Sequence, residues 1–401
     1  MKKQQIILAT IITIGFSTAF TSCKKPEDGN NANNIQEEVV ENFSNIVAAN
    51  YNDALADAIE LQNSIGYFVA NPTEATQNEA KNAWLNARET YGQTETFRFM
   101  DGPIDDVNGP EGNLNAWPLD ENYIDYVYDV VSQTTINEGL ISDFDFEITT
   151  ENLQAVNEAG GETNISMGYH AIEFLLWGQD FNLNPITGAE DYSISGLRSY
   201  MDFVGGSLAE RRRAYITVTT ELLISDLTYL STAWEEGAWG RIAILNKPTN
   251  EALATIMTGM AMLSKGELAG ERMFVAVDNQ DQEHEHSCFS DNTHRDIYNN
   301  ALGIKNVYFG NYGSVNGSSI QDLIREENAD LEETLTAHIN NTWETIEAVD
   351  LAAPFDGQLV QETVTGNGPI MTAILALQEQ GDRLVEAASE LGLTIYADLE
   401  D

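Results

Sequence analysis

Apolar and small residues recur from Phe43 at Val47, Tyr51, Ala54, Ala58, Leu61, Ile65 and Phe68, in alternating steps of four and three. That spacing draws one stripe along a helix, and Asn71-Pro72 stops it because proline cannot continue the hydrogen-bond ladder. A second stripe begins near Thr76, where Thr76 and Glu79 have capping-box spacing, and carries Ala80, Trp84, Ala87 and Tyr91 inward. The same stripe then meets Glu95 and Arg98, so an acid and a base reach the buried face together. The stretch 102–118, with Gly-Pro twice and an Asn-Ala-Trp-Pro turn, is a loop. A helix is expected over 121–131, followed to 164 by a segment without clear periodicity.

The next helix, within SMGYHAIEFLLWG at 166–178, takes Ser166 as its N-cap, and a long helix at 207–234 starts polar and basic (Arg211, Arg212, Arg213) before turning leucine-rich. Beyond a break at Asn246-Lys247-Pro248-Thr249, Ile256, Met260, Leu263, Glu267, Gly270 and Phe274 share a helical face. Two more helices are expected at 319–349 and 368–391. Ile-Thr-Val-Thr-Thr at 216–220 has strand character but lies inside a helical period. The pattern predicts an all-α fold, most simply two helical bundles, with domains at 37–245 and 246–401.

Composition supports two cores, since 401 residues of which 42% are hydrophobic exceed what one core usually serves. The formal charge of −45 repels nucleic acid and anionic headgroups and favours cations. At the amino terminus, Lys2 and Lys3 precede a short apolar run and small residues, the layout of a cleavable export signal over 1–22. Phe-Thr-Ser-Cys resembles a bacterial lipobox, which makes Cys23 a lipid anchor and the polar, Asn-rich segment to residue 36 a flexible tether. Only Cys288 then remains, so the mature chain forms no internal disulfide.

Candidate chemistry centres on His170 and Glu173, i and i+3 neighbours on one helix. Ile172, Phe174, Leu175, Leu176 and Trp177 cover the rest of its circumference, which marks a helix buried on nearly all sides. A carboxylate there needs a counter-charge or a metal, because a buried pair missing one partner loses about 3 to 5 kcal/mol. Two arrangements meet the need: a salt bridge to a base such as Arg98, or a metal shared by imidazole and carboxylate, with the inward acids Glu95 and Glu267 near it. His-Glu-x-x-His is absent, and the inverted His-x-x-Glu-His fails because Phe174 follows Glu173. A zinc site completed by His286, His294 or His338 stays open. Segment 283–296 concentrates three of the five histidines with Cys288, Asp291 and Asp296, and is expected to bond loop backbone and helix ends. Nucleophile-elbow, P-loop and dinucleotide fingerprints are absent.

Gly168, His170 and Glu173 match the Gly-x-His-x-x-Glu motif of the imelysin family, which the chain resembles along nearly its whole mature length. ARETYGQTETFRF (87–99), NAWPLDENYIDYV (115–127), GELAGERM (266–273) and EHSCFSDNTHRDIYNNALGIKNVYFGNY (285–312) are similar to its iron-regulated branch. The resemblance implies a duplicated, four-helix-bundle-like arrangement with a site near the domain junction and residence in the periplasm or at the outer membrane. It also implies a role in iron uptake or homeostasis, and a peptidase classification that fits awkwardly with the missing zinc motif.

The expected metal ligands are His170, Glu173 and Glu95, the last as third ligand or counter-charge. Arg98 is expected to hold that acid, with Gly168, Trp117, Asp120, Glu267, Arg272, His286 and Asp291 around them. Iron, or an iron-bearing ligand, is the expected occupant, zinc the alternative. Expected partners are the membrane, through the lipid anchor, and iron-uptake proteins. Competing readings are a zinc metallopeptidase in which Glu95 or Glu267 activates water, and a metal-free binding module whose His170 and Glu173 pair with arginines.

Overall fold

A computed structural model describes residues 31–184 and 186–399; the expected signal, Cys23 and residues 24–30 of the tether lie outside the described residues, while 31–36, expected as flexible tether, are helical. The principal helices are α1 (Asn31–Ala70), α2 (Glu74–Thr94), α3 (Gly168–Trp177), α4 (Gly206–Ala233), α5 (Thr249–Met262), α6 (Thr293–Phe309), α7 (Ala329–Leu351) and α8 (Pro369–Glu390). Two short antiparallel hairpins, β1 (Val127–Asp129) with β2 (Thr134–Ile136) and β3 (Asn311–Tyr312) with β4 (Val315–Asn316), complete an all-α architecture.

The stripe from Phe43 to Phe68 is buried along α1, which packs against α2 and α4. In the second half α8 packs against α7, α5 and the segment that follows α5. Helices α2 and α6 join these groups, and Gly303 allows their close approach: a Cβ there would lie 2.4 Å from the carbonyl oxygen of Gln93. The buried apolar residues form one contiguous cluster from Val39 to Ala397.

Several local expectations are corrected. The cap of α2 is Thr73, not Thr76: the backbone N–H of each donates to the hydroxyl of the other, and this reciprocal pair forms directly after Pro72. Met167 rather than Ser166 occupies the N-cap of α3, because the Ser166 hydroxyl donates instead to the carbonyl of Leu153. The helix expected over 121–131 ends at Ile124; Arg198 and Arg212 draw Asp125 into ion pairs, and Val127 enters β1 opposite Ile136. The helix expected over 319–349 divides at Asn328, whose side chain caps α7, and α6 was not anticipated.

The most consequential departure follows α5. The chain continues as a π-helix over Leu263–Phe274, and the buried residues become Leu268, Ala269, Arg272 and Met273, leaving Glu267, Gly270 and Phe274 only partly buried. Hydrogen bonds from i to i+5 bring side chains five residues apart together, which an α-helix does not. Glu267 and Arg272 meet in this way.

Candidate metal centre

All ten residues of α3 are buried. Its first residue, Gly168, has φ of 86°, and a Cβ there would lie 2.6 Å from the carbonyl oxygen of Asn113 and 2.7 Å from that of Leu114. Only glycine meets both demands without strain. One turn on, the His170 Nδ1 lies 2.8 Å from Glu173 Oε2. The other carboxylate oxygen accepts from the backbone N–H of Ser290 at 3.0 Å and from its hydroxyl at 2.7 Å. Glu173 therefore has partners at both oxygens, whereas His170 Nε2 is buried with none among the described residues.

A second imidazole stands beside the first, the rings of His170 and His286 being 4.6 Å apart and nearly perpendicular. The two are built alike. His286 Nδ1 lies 2.9 Å from Asp296 Oδ2, as His170 Nδ1 lies beside Glu173, while its Nε2 meets the amide nitrogen of Asn115 at 3.3 Å. Arg88 anchors this half: its guanidinium donates to Asp296 and to Asn115 while packed among the rings of Trp84, Tyr91 and Tyr169.

Burial sets the protonation of the first pair. It drives His170 far below the usual imidazole value, with His286 and Arg88 adding repulsion, and pushes Glu173 up to about 8 against the stabilising bonds from Ser290. Both shifts favour the uncharged forms. His286 is lowered to about 4 by burial and by Arg272. For Asp296 burial acts upward, but Arg88 and His286 outweigh it and hold the carboxyl far below the usual range. Two neutral imidazoles thus face each other, each with a carboxyl group at Nδ1.

Asn115 links them to an ionic cluster, since its amide also reaches Glu95 Oε1 at 3.2 Å. Glu95 Oε2 lies 2.9 Å from Arg98 and 2.6 Å from Arg272, and both arginines also engage Glu267. Burial tends to raise Glu95, but Arg272 and Arg98 prevail and bring it down to about 2. A cleft of about 400 Å³ opens over this cluster, lined among others by Arg98, Asn115, Trp117, Glu267, Arg272 and His286. Trp117 and His286 also touch the His170 ring, which does not itself line the cleft.

Of the sequence candidates, Gly168, His170, Glu173, Glu95, Arg98, Trp117, Glu267, Arg272 and His286 come together here. Asp120 does not: it caps the short helix Glu121–Ile124 by accepting from the N–H of Asn122. Asp291 lies instead with Asp180 and Asp356. Arg98 contacts Glu95, Glu111 and Glu267 in place of the suggested Glu173. Among the three histidines left open, His294 sits by Asp350 and His338 by Glu379, so only His286 approaches His170.

The expectation that segment 283–296 serves loop backbone holds for the Thr293 hydroxyl, which accepts from the N–H of Ser287, but His286 and Asp296 turn into the site. Sequence reasoning missed Arg88, Asn115, Ser290 and Asp296 as site residues. Arg88 carried a usable signal, four residues beyond Trp84 on the inward side of α2.

Fold and centre together define an all-helical protein with paired imidazole–carboxyl contacts buried beside a polar cleft. The family model Imelysin matches residues 47–384, and the chain belongs to the imelysin family. It is 23% identical over 372 residues to Iron-regulated protein A of Synechococcus elongatus, covering 92% of this chain and 89% of that one. The fold is shared with a Parabacteroides distasonis protein described as an iron-regulated protein A precursor, at a TM-score of 0.69 and 21% identity over 92% of this chain and 97% of the other. It is shared also with an imelysin-like protein of Psychrobacter arcticum, at a TM-score of 0.57 and 13% identity over 90% and 97%.

Proposed function

We propose that this protein is exported, anchored to the outer membrane through Cys23, and binds iron or an iron-bearing ligand at the junction of domains 37–245 and 246–401, serving iron uptake or homeostasis. The observation that carries the reading is the buried, partnerless Nε2 of His170 with Nδ1 held by Glu173. A metal-binding histidine characteristically gives its other ring nitrogen to a carboxylate, which fixes the tautomer and aims the lone pair. In this reading His170 is a ligand through Nε2, and His286 supplies the second imidazole by exchanging the Asn115 amide at its Nε2 for the metal. Glu173 and Asp296 orient the rings, and Glu95 serves as counter-charge to Arg98 and Arg272. Imidazole ligation without thiolate accommodates iron as it does zinc, copper and nickel. The relative named Iron-regulated protein A supports the same direction.

Binding is favoured over peptide hydrolysis because the two acids expected to activate water, Glu95 and Glu267, are engaged. Glu95 and Glu267 are both held by Arg98 and Arg272, and a carboxyl at about 2 is a poor general base near neutrality. The test is elemental analysis and anaerobic Fe(II) titration of the purified protein beside His170→Ala and His286→Ala. Stoichiometric metal in the parent, lost in variants that still fold, is expected. A parent that takes up no metal, or variants that retain it, would overturn the proposal.

A further inference from the structure

Away from the imidazole pair, Asp180, just beyond α3, Asp291, in the loop before α6, and Asp356, in the short helix Phe355–Leu359, converge so that one carboxylate oxygen of each lies within 4.8 Å of the others. The charges acting on them are other acids, Glu283 among them, and no base is paired with any of the three among the described residues. Glu95, Asp125 and Asp296, by contrast, are each held by arginines. Burial, then mutual repulsion, pushes Asp180 up to about 7 and Asp291 up to about 8, while burial brings Asp356 to about 6.

Two neighbours point to a ligand. Glu285 is 2% exposed, its Oε1 has no hydrogen-bond partner among the described residues, and the charges acting on it are those of Asp356, Asp291 and Asp180. Asn182 is 5% exposed, donates its side-chain amide to Gln282 and lies against Asp356, and its own Oδ1 has no partner among the described residues. Asp356 Oδ2 is orphaned as well. Buried acceptors left unsatisfied cost about 1 to 3 kcal/mol each, and more when charged.

We propose that Asp180, Asp291, Asp356, Glu285 and Asn182 form a divalent-cation site of the calcium class. The donor set is all oxygen, as hard cations require, and several carboxylates with an amide carbonyl make the irregular cage that calcium accepts and the strictly octahedral magnesium does not. The cation supplies the missing positive charge and the missing partner of each orphaned oxygen. It also ties the loop before α6 to the end of α3, and that loop carries Ser290 and His286 of the imidazole centre. The site shares no proposed ligand with that centre, so the two proposals fail separately.

Calorimetric titration of the chelator-treated protein with CaCl2, beside melting curves with and without calcium, tests it. A single saturable site above the weak background of an acidic surface is expected, with a higher melting temperature in calcium. Asp180→Asn/Asp356→Asn is expected to melt above the parent without calcium, because repulsion is relieved, and to lose the response; His170→Ala is expected to keep it. Asn182→Ala, which preserves every charge, should weaken calcium binding about tenfold or more. Absence of a saturable site, a response that survives the double substitution, or an unchanged affinity in Asn182→Ala would each overturn the assignment.

Discussion

Glu173→Gln separates what the carboxyl group does for folding from what it does for the imidazole. The fully buried group is pushed from 4.5 up to about 8, chiefly by loss of water. Between those values the folded protein keeps a proton that the unfolded chain has released. Stability from this group is therefore complete below pH 4.5 and is lost as pH rises to about 8. The slope is about 1.4 kcal/mol per pH unit, and the whole interval amounts to something of order 5 kcal/mol. Glutamine carries no charge to bury, so the variant should unfold at higher urea concentration than the parent at pH 9 and at a similar one at pH 5.

Its amide oxygen can accept both Ser290 bonds, while its NH2 donates to His170 Nδ1. That donation places the ring proton on Nε2 and removes the lone pair a metal needs. The folded variant should therefore fail to bind Fe(II), whereas parent binding should release a proton and strengthen with pH up to about 8. Urea unfolding at pH 5, 7 and 9 with anaerobic titration of both proteins measures each part. A pH-independent stability difference, or parent-like metal affinity in the variant, would refute the reasoning.

Arg88→Met leaves Asp296 buried without its guanidinium, and a loss of about 3 to 5 kcal/mol in chemical unfolding is expected; a loss below about 1 kcal/mol would contradict this reading of the network. Gly168→Ala forces a side chain onto a backbone with φ of 86° and against two carbonyl oxygens, so thermal melting should reveal a loss of at least about 1 to 3 kcal/mol. Glu95 runs opposite to Glu173. Its folded value of about 2 against 4.5 gives stability that is present above pH 4.5 and lost as pH falls to about 2, of order 3 kcal/mol, so Glu95→Gln should flatten the acid limb of the unfolding profile.

Legibility in the sequence followed the range of the interaction. The stripes of α1 and α2 recur every three or four residues, and the buried side chains fall where that period places them. The apolar circumference of α3 announced a buried helix, and i, i+3 spacing put His170 beside Glu173 before any tertiary contact was known. Turns were harder: Thr73 and Thr76 offered a cap as good as Thr76 and Glu79, and Ser166 had a carbonyl elsewhere to bond. The π-helix was hidden because its one-residue shift goes with Arg272 reaching Glu95 and Asn300, both remote in the chain.

By itself the sequence determined an all-helical chain with an acid and an imidazole locked together inside it, because helix periodicity and i, i+3 contact are local and survive any packing. Tertiary structure decided the rest. Whether Glu95 is a free ligand or a neutralised counter-charge depends on Arg272, 177 residues away, and whether His170 stands alone depends on His286 arriving on a distant loop. Electrostatic and ligand-field interactions act over a few ångströms of space, and chain separation says nothing about which groups will share them. The same reason hid the acidic cluster of Asp180, Asp291 and Asp356, whose members meet only after three remote segments have packed.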